Sequence, residues 1–268
     1  MGRGAGHRFK WPAIISANRA LAAYSALALA FLHAPLLILI AFSFNASRFT
    51  IWEGFSLRWY RAAIGDPELT EGLVNSLIIA VVAAVLSTVI GTLAAYGIWR
   101  KANRLLSGSL YLSLVTPEIV TGVSLLALFQ WAFRFLHMRL GLYTVIIAHI
   151  AFSIAYVVIV ISARLGSYDR TLEEAAMDLG AGEWHAFTRV TLPALAPAIA
   201  AAGLLALVVS FDDYVITSLV AGVDSQTLPM VIYAMARRGV SPVVNAVSAL
   251  IVVAFGAVIL VSERLQKR

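Results

Sequence analysis

TLEEAAMDLGAGEWHAFTRVTLP occupies residues 171–193 and separates two long hydrophobic runs. Thr171 and Glu174 have the T-x-x-E spacing of a capping box, which predicts a helix that begins at Thr171. Apolar side chains would share one face of this helix and acidic side chains would lie off it: Leu172, Ala175, Ala176 and Leu179 against Glu173, Glu174 and Asp178. Gly180 is expected to end the helix as a left-handed residue. The stretch is therefore predicted to be ordered.

A second short helix is predicted after Gly180, with Trp184, Phe187 and Val190 on one apolar face, before Pro193 opens the next hydrophobic run. The spacing across both helices resembles the EAA signature of bacterial ABC importer permeases, E-A-A-x3-G-x9-I-x-L-P. The matching residues are Glu174, Ala175, Ala176, Gly180, Leu192 and Pro193, with Val190 in place of isoleucine. The resemblance implies a cytoplasmic pair of coupling helices that docks on an ATPase subunit. The alternative is a surface helix pair with no special role.

The composition excludes a soluble domain. Of the 268 residues 61% are hydrophobic and 13% are charged, whereas soluble domains carry about 25% charged residues. Apolar runs of about 20 residues, each long enough to cross about 30 Å of hydrocarbon, recur along the chain. The sequence contains no cysteine, which excludes disulfides and thiolate chemistry. We therefore predict an integral membrane protein, in which the net charge of +6 reflects topology rather than nucleic-acid binding.

Six hydrophobic runs predict six transmembrane helices in one all-α domain. They cover about residues 21–44, 73–99, 110–133, 142–163, 194–220 and 243–262. The domain boundaries are then a basic amino-terminal segment at residues 1–20, a transmembrane domain at 21–262 with coupling helices at 171–192, and a tail at 263–268. A cleavable signal peptide is the alternative for the first run. That run is longer than a signal core and lacks a clear small-residue cleavage site, so an anchor is favoured.

The basic residues predict the orientation of these helices. With six spans, 13 Lys and Arg residues fall on the side that holds both termini, and 7 fall on the opposite side. Cytoplasmic loops of membrane proteins carry the excess of basic residues. Both termini and residues 171–193 are therefore predicted to be cytoplasmic, on the side where an ATPase would lie, in a bacterial inner membrane.

Small residues recur at every fourth position in the second and fifth runs. The two ladders are Ala83, Ser87, Gly91 and Ala95, and Ala198, Ala202, Ala206 and Ser210. Small residues let helix backbones approach closely in lipid, where no hydrophobic drive brings helices together. We expect both ladders to pack within this subunit rather than between subunits.

Three carboxylates fall within the predicted spans: Glu118, Asp212 and Asp213. A carboxylate in hydrocarbon costs about 3 kcal/mol or more, so such residues usually face a partner or a polar cavity. Glu118 follows Pro117, whose ring and missing N–H should break the helix near the middle of the membrane. A broken helix near the midplane is a recurrent way to build a substrate site. The alternative for each acid is a structural ion pair or a hydrogen bond at a helix end.

Asp212 and Asp213 would lie about 100° apart if one helix carried both. The face of Asp213 would then be shared with small and polar residues, and the face of Asp212 with Leu and Val residues. We therefore expect Asp213 to face the pathway and Asp212 to pair within the protein. Tyr111 and Tyr214 are candidate cation-π partners for a substrate cation, whereas Trp131 is expected to pack at the membrane interface.

The loop between the fifth and sixth runs carries a further helix signal. Thr227, Leu228 and Pro229 predict a short helix with proline in its first turn, which would end at Arg238 and Gly239. The two adjacent arginines, Arg237 and Arg238, run against the charge bias. Lipid head groups or an acidic partner surface would both suit them.

Four segments resemble the polyamine branch of the same importer family. They are APLLILIAFSFNAS at 34–47, TPEIVTGVSLLALF at 116–129, SFDDYVITSLVAG at 210–222 and TLPMVIYAMARRGVSPVVNA at 227–246. The resemblance implies the six-helix core of the type I importer fold. It also implies a second homologous permease, two copies of an ATPase and a periplasmic binding protein. The resemblance does not separate putrescine, which is favoured, from spermidine.

The leading functional prediction is a permease subunit that forms the path for polyamines and couples to an ATPase through residues 171–193. The sequence holds no G-x-x-x-x-G-K-[ST] phosphate loop, so ATP and Mg²⁺ would bind to a partner chain and this chain would not be an enzyme. The alternatives are a permease for another small cationic or amino compound, or an ion-coupled secondary carrier. His33 and His149 lack the spacing of a catalytic motif, and a lone histidine in a span is usually a packed, hydrogen-bonded residue.

Overall fold

A computed structural model describes residues 12–49, 51–101, 104–136, 138–239 and 242–266. The described chain is helical, with a single isolated bridge between Asn45 and Phe55 as its β pairing. The helices are α1 Pro12–Ser43, α2 Arg58–Ile64, α3 Pro67–Lys101, α4 Arg104–Val115, α5 Glu118–Leu136 and α6 Leu142–Leu165. They continue with α7 Thr171–Asp178, α8 Glu183–Ala186, a π-helical turn Phe187–Thr191, α9 Leu192–Asp212, α10 Val215–Val220, α11 Leu228–Arg237 and α12 Pro242–Gln266.

Five helices in the described part of the chain are long and apolar enough to cross a membrane. They are Leu21–Ser43, Pro67–Lys101, Glu118–Leu136, Leu142–Leu165 and Glu183–Asp212. The sixth predicted span corresponds to α12, a helix of 25 residues whose segment Pro242–Ala257 is apolar. The six predicted runs therefore each contain a long helix.

The boundaries differ from the predicted ones at both ends of the chain and inside two spans. Helix α1 begins at Pro12, inside the segment 1–20 that we expected to precede the first span, of which residues 1–11 lie outside the described part. Helix α12 continues to Gln266, beyond the predicted end at residue 262. The third span is divided into α4 and α5, and the fifth is divided into α9 and α10.

The described residues fall into two compact units. One contains α1, most of α2 and the greater part of α12, and the other contains α3 to α11. In the first unit, Asn45 organises the loop after α1. Its side-chain amide donates to the carbonyls of Phe49 and Ile51, and its side-chain oxygen accepts from the backbone N–H groups of Ser47 and Glu53.

The second unit is built on α3, α6 and α9. Its core joins residues of all three helices: Ala84, Ala95, Val157, Val158, Ile161, Leu165, Leu195, Ala202 and Ala206. The small-residue ladders lie in this core, as expected for packing within the subunit. A methyl group on Gly91 would lie 2.7 Å from a Val157 side-chain carbon, so α3 and α6 can approach this closely only because residue 91 is glycine.

A second apolar cluster links α3, α5, α6 and α10. Its buried members are Ile79, Phe129, Val145, Ala148, Ile216 and Val220. Gly122 on α5 lies close to α10, because a methyl group there would meet a Leu219 side-chain carbon at 2.6 Å. The half-helices after the two breaks, α5 and α10, are therefore packed against each other.

Candidate functional site

The two interrupted spans meet at a cavity of about 360 Å³. Its polar lining comes from the end of α4 and start of α5, from α6, and from the junction of α9 and α10: Ser113, Thr116, Glu118, Thr121, Tyr156, Asp212, Asp213 and Tyr214. The structure thus brings together four of the five residues predicted for a substrate pathway. The fifth, Tyr111, lies on α4 with its side chain outside the described part.

The first break is at Pro117, as predicted. Thr116 ends α4 by donating from its hydroxyl to the Leu112 carbonyl at 2.8 Å. The Pro117 carbonyl then accepts from the backbone N–H groups of Val120 and Thr121 at 2.9 and 3.1 Å, which starts α5. Proline has no N–H to continue the ladder, so the helix stops and restarts here. Glu118, the first residue of α5, is exposed at the cavity.

The second break is made by Asp213. This residue has extended backbone, with φ of −65° and ψ of 125°, at the end of α9. Its carboxylate accepts from the backbone N–H and the hydroxyl of Thr217 at 2.8 and 2.7 Å. A carboxylate that accepts from free N–H groups in the first turn acts as a helix cap. Asp213 therefore ends one half-helix and caps the next.

His149 on α6 holds this junction from the side. Its ring nitrogens lie 2.7 Å from the Ser210 hydroxyl and 2.9 Å from the Thr217 hydroxyl, and Nε2 is 3.4 Å from the Asp213 carboxylate. The histidine is 1% exposed. One ring thus joins α6 to both sides of the break between α9 and α10. The prediction of a packed, hydrogen-bonded histidine is confirmed.

The predicted geometry of the acid pair was wrong, because α9 ends at Asp212 and no single helix carries both side chains. Asp213 has a side chain that is 6% exposed and makes the internal contacts. Asp212 is exposed and has no ion pair in the described part of the chain. The internal pairing expected of Asp212 therefore belongs to Asp213. Which acid a substrate would contact stays a prediction.

Aromatic residues complete the cavity wall. The Tyr214 ring lies 4.3 Å from the Tyr233 ring of α11, measured between centroids. Phe152 and Tyr156 of α6 line the cavity and were missed from the sequence. They follow His149 at i+3 and i+7, so they lie on the same face of α6. This spacing could have predicted both from the sequence. Trp131 is 62% exposed, in agreement with the expectation that it lies outside the site.

The segment at residues 171–193 also differs in detail from its prediction. Helix α7 starts at Thr171, but the predicted capping box was wrong. Asp169 supplies the cap, since its carboxylate accepts from the Thr171 backbone N–H at 3.0 Å and from the Thr171 hydroxyl at 2.8 Å. These bonds, the backbone one first, lower the pKa of Asp169 below its ordinary value. Glu174, the expected second member of the box, pairs instead with Arg170 at 3.3 Å.

Gly180 ends α7 in the predicted left-handed conformation, with φ of +92°. The N–H of Gly180 bonds to the Met177 carbonyl, and that of Ala181 bonds to the Ala176 carbonyl. This pair of bonds is the Schellman arrangement at a helix end. A methyl group at residue 180 would meet nothing within 4 Å, so the requirement for glycine comes from the backbone angle alone.

The apolar face predicted for α7 lies at the surface of this chain. Leu172 is 53% exposed, Leu179 is 91% exposed, and Trp184 on α8 is 66% exposed. The second helix is not separate, because α8, the π-helical turn and α9 run on without interruption past Pro193. Glu173, which was expected to lie off the apolar face, is 2% exposed and contacts α3. This chain therefore buries Glu173 of α7 and leaves the apolar face exposed.

Residues 87–268 match the family described as binding-protein-dependent transport system inner membrane component. The chain belongs to this family. Residues 87–268 contain both helix breaks, the cavity and the segment 171–193. The family assignment and the apolar helices together make the chain a multi-pass membrane protein and a transport permease subunit.

Curated relatives cover most of the chain. It is 42% identical over 236 residues to the putrescine transport system permease protein PotI of Escherichia coli strain K12, with 85% of this chain and 84% of the relative covered. It is 35% identical over 243 residues to the spermidine/putrescine transport system permease protein PotC of Haemophilus influenzae, covering 89% and 93%.

Two solved structures share the fold. One is a bacterial ABC transporter involved in import of the acidic polysaccharide alginate, with a TM-score of 0.69, 17% identity, and 97% of this chain and 98% of that chain covered. The other is the MetNI methionine ABC transporter, with a TM-score of 0.62, 17% identity, and 74% and 94% covered. The predicted all-α permease fold with six transmembrane helices is confirmed.

Proposed function

We propose that this chain forms the membrane path for a polyamine in an ATP-driven importer. The observation that carries the proposal is the cavity between the two helix breaks, which three carboxylates line and no Lys, Arg or His of the described chain lines. The relatives named for putrescine and spermidine transport support the same substrate class.

The site suits a flexible cation with separated charges. Glu118 is presented by the α4 to α5 break and Asp212 by the end of α9, so two exposed carboxylates approach the cavity from different helices. Attraction between opposite charges grows as water is excluded. Tyr156 and Tyr214 add ring faces that favour a cation. Asp213 adds a third charge to the cavity lining, with its Oδ2 already accepting hydrogen bonds from Thr217.

The exposed apolar surface of α7 and α8 is the proposed docking site for the ATPase. Leu172, Leu179 and Trp184 would be covered there, and ATP and Mg²⁺ would bind to the docked subunit. A second homologous permease beside this chain is part of the proposed assembly. The excess of basic residues supports cytoplasmic termini, and a periplasmic binding protein would deliver substrate from the other side.

Uptake by the assembled transporter in proteoliposomes tests the path. Glu118→Gln and Asp212→Asn are each expected to lower the uptake rate at saturating putrescine at least about tenfold, since each removes a charge that attracts the cation in the path, and a factor of ten corresponds to about 1.4 kcal/mol. Asp224→Asn is the matched control, because Asp224 is exposed and lies outside the cavity lining.

Several outcomes would contradict the proposal or refine it. An unchanged uptake rate in both cavity variants would remove the carboxylates from the path. Spermidine tested beside putrescine decides between the two polyamines, and uptake of another amino compound alone would replace the substrate class. Inhibition by protonophore but not by vanadate would point to an ion-coupled carrier instead.

A further inference from the structure

Glu173 is buried although it lies in the segment between two spans. Its side chain is 2% exposed, and Oε1 accepts hydrogen bonds from the Tyr96 hydroxyl and from Arg100 Nη1, the latter at 2.9 Å. Tyr96 and Arg100 both lie at the end of α3. The first turn of α7 is thereby attached to the end of the second span by a charged, buried contact.

The same arginine reaches a second helix of the segment. Arg100 Nη2 lies 3.2 Å from Oε1 of Glu183, the first residue of α8. An arginine presents its donors in a fixed planar fork, so its two nitrogens can hold two carboxylates in a defined geometry. One guanidinium therefore connects α3 with both α7 and α8.

Aromatic rings pack beside the Glu173 end of this charged cluster. The centroids of Tyr96 and Phe187 are 4.4 Å apart, and those of Trp99 and Tyr168 are 5.9 Å apart. The Arg170 guanidinium lies 5.6 Å from the centroid of the Trp99 ring. Removal of one partner from a buried ion pair leaves an uncompensated charge, which makes such a pair a strong constraint on relative position.

The neighbouring glutamate is in a different environment. Glu174 is exposed and pairs only with Arg170 of its own helix turn, at 3.3 Å. An exposed pair four residues apart on a helix adds little stability. Two consecutive glutamates of the same segment thus lie in different environments, one against α3 and one in solvent.

We propose that Glu173 is the positioning residue that fixes α7 to the end of α3, so that the two move as one body when an ATPase docks and closes. This inference rests on the proposed function, because it assumes that the exposed face of α7 is the docking surface. Glu174 belongs to that surface, whereas Glu173 transmits its movement to the second span.

The distance between spin labels on α3 and α7 tests the attachment. The chain has no cysteine, so Gly97→Cys and Asp178→Cys would carry the labels. Both residues are exposed, and a side chain at Gly97 meets nothing within 4 Å. In the labelled chain in lipid nanodiscs we expect one narrow distance distribution. Glu173→Ala should broaden it about twofold by releasing α7, and Glu174→Ala should leave it unchanged.

A second distance measurement leaves the side chains around Glu173 unmutated. In the transporter assembled with its ATPase, the α3 to α7 distance with the nucleotide trapped should equal the distance without nucleotide. A changed α3 to α7 distance would overturn the inference, as would a narrow distribution in Glu173→Ala. Failure of the chain to assemble with any ATPase would instead contradict the proposed function, since the nanodisc measurement needs no partner.

Arg100→Lys tests whether the planar guanidinium of Arg100 is needed to hold both Glu173 and Glu183. A lysine ammonium cannot span two carboxylates as a guanidinium does. We expect ATP hydrolysis to continue while putrescine uptake per ATP falls, and Glu173→Ala to show the same split more strongly. Equal loss of hydrolysis and uptake would indicate a merely structural role and would count against the inference.

Discussion

The two helix breaks that frame the cavity are held in different ways. At Pro117 the chain itself forbids a continuous helix, because proline lacks the N–H and its ring occupies the preceding turn. At Asp213 every residue is able to continue a helix, and the break is maintained by bonds from Thr217 and His149. A break of the first kind is local, whereas a break of the second kind depends on tertiary structure. Mutation should therefore displace the side chains at the Asp213 break more easily than those at the Pro117 break.

Of the predicted changes, replacement of His149 should lower the free energy of unfolding the most. His149→Ala removes the ring that joins Ser210, Thr217 and Asp213, and takes the side-chain partner from the buried Ser210 hydroxyl. Unfolding free energy is expected to fall by about 2 kcal/mol, and uptake with it. Thermal unfolding of the purified chain measures the loss.

His33→Ala is the matched control for this change. His33 is exposed and contacts one backbone carbonyl of its own helix, so the unfolding free energy should stay within about 0.5 kcal/mol. Equal losses in the two histidine variants would show that the Asp213 break does not depend on α6.

Replacement of Pro117 should have a smaller effect on stability. Pro117→Ala loses no hydrogen bond and relaxes a restriction on the unfolded chain, so the unfolding free energy should change by less than about 1 kcal/mol. The new N–H allows α4 and α5 to join, which would move Glu118 away from the cavity. Hydrogen exchange across residues 112–121 should show added protection, and uptake should fall. A stability loss as large as that of His149→Ala would mean that this break also relies on tertiary contacts.

These differences also explain what the sequence allowed us to predict. Pro117 and Gly180 were placed correctly because each acts through its own backbone. The internal contacts of Asp213 and Glu173 were not predicted because their partners, His149 for one and Tyr96 and Arg100 for the other, lie on helices that pattern alone does not bring near. The helical periodicity of α7 identified an apolar face but gave no information on whether this chain or another one covers it. Four of the five pathway residues, by contrast, were brought to one cavity, because intramembrane acids have few alternatives to a polar site.

The smallest expected effect concerns a second carboxylate cap, Asp169 at the start of α7. It makes bonds like those of Asp213, but it is exposed to solvent. The pKa of Asp169 is lowered in the folded chain by the Thr171 backbone N–H and then by the Thr171 hydroxyl. A lowered pKa means that the cap contributes fully above the ordinary Asp pKa, and that its contribution is lost as the pH falls through the lowered value.

Hydrogen exchange of α7 between about pH 5 and pH 3, corrected for the intrinsic exchange rate, would detect this loss. Asp169→Asn keeps an oxygen acceptor but does not titrate, so its α7 should lose less protection over the same range. If the protection of α7 falls with pH identically in the original chain and in Asp169→Asn, the loss comes from other acids of the segment.

The unbroken run from Glu183 to Asp212 gives the permease a lever. It holds 30 residues, which corresponds to about 45 Å of helix, with Trp184 near one end and a cavity carboxylate at the other. Pro193 and Pro197 lack the N–H that would continue its hydrogen bonding near the Glu183 end, so a bend would be expected there. Beyond Pro197 the arm to Asp212 is about 22 Å long, so a tilt of about 10° moves its tip by about 4 Å. That is the full reach of an ammonium–carboxylate contact, and a small angular movement is therefore enough to take hold of a cation or to let it go.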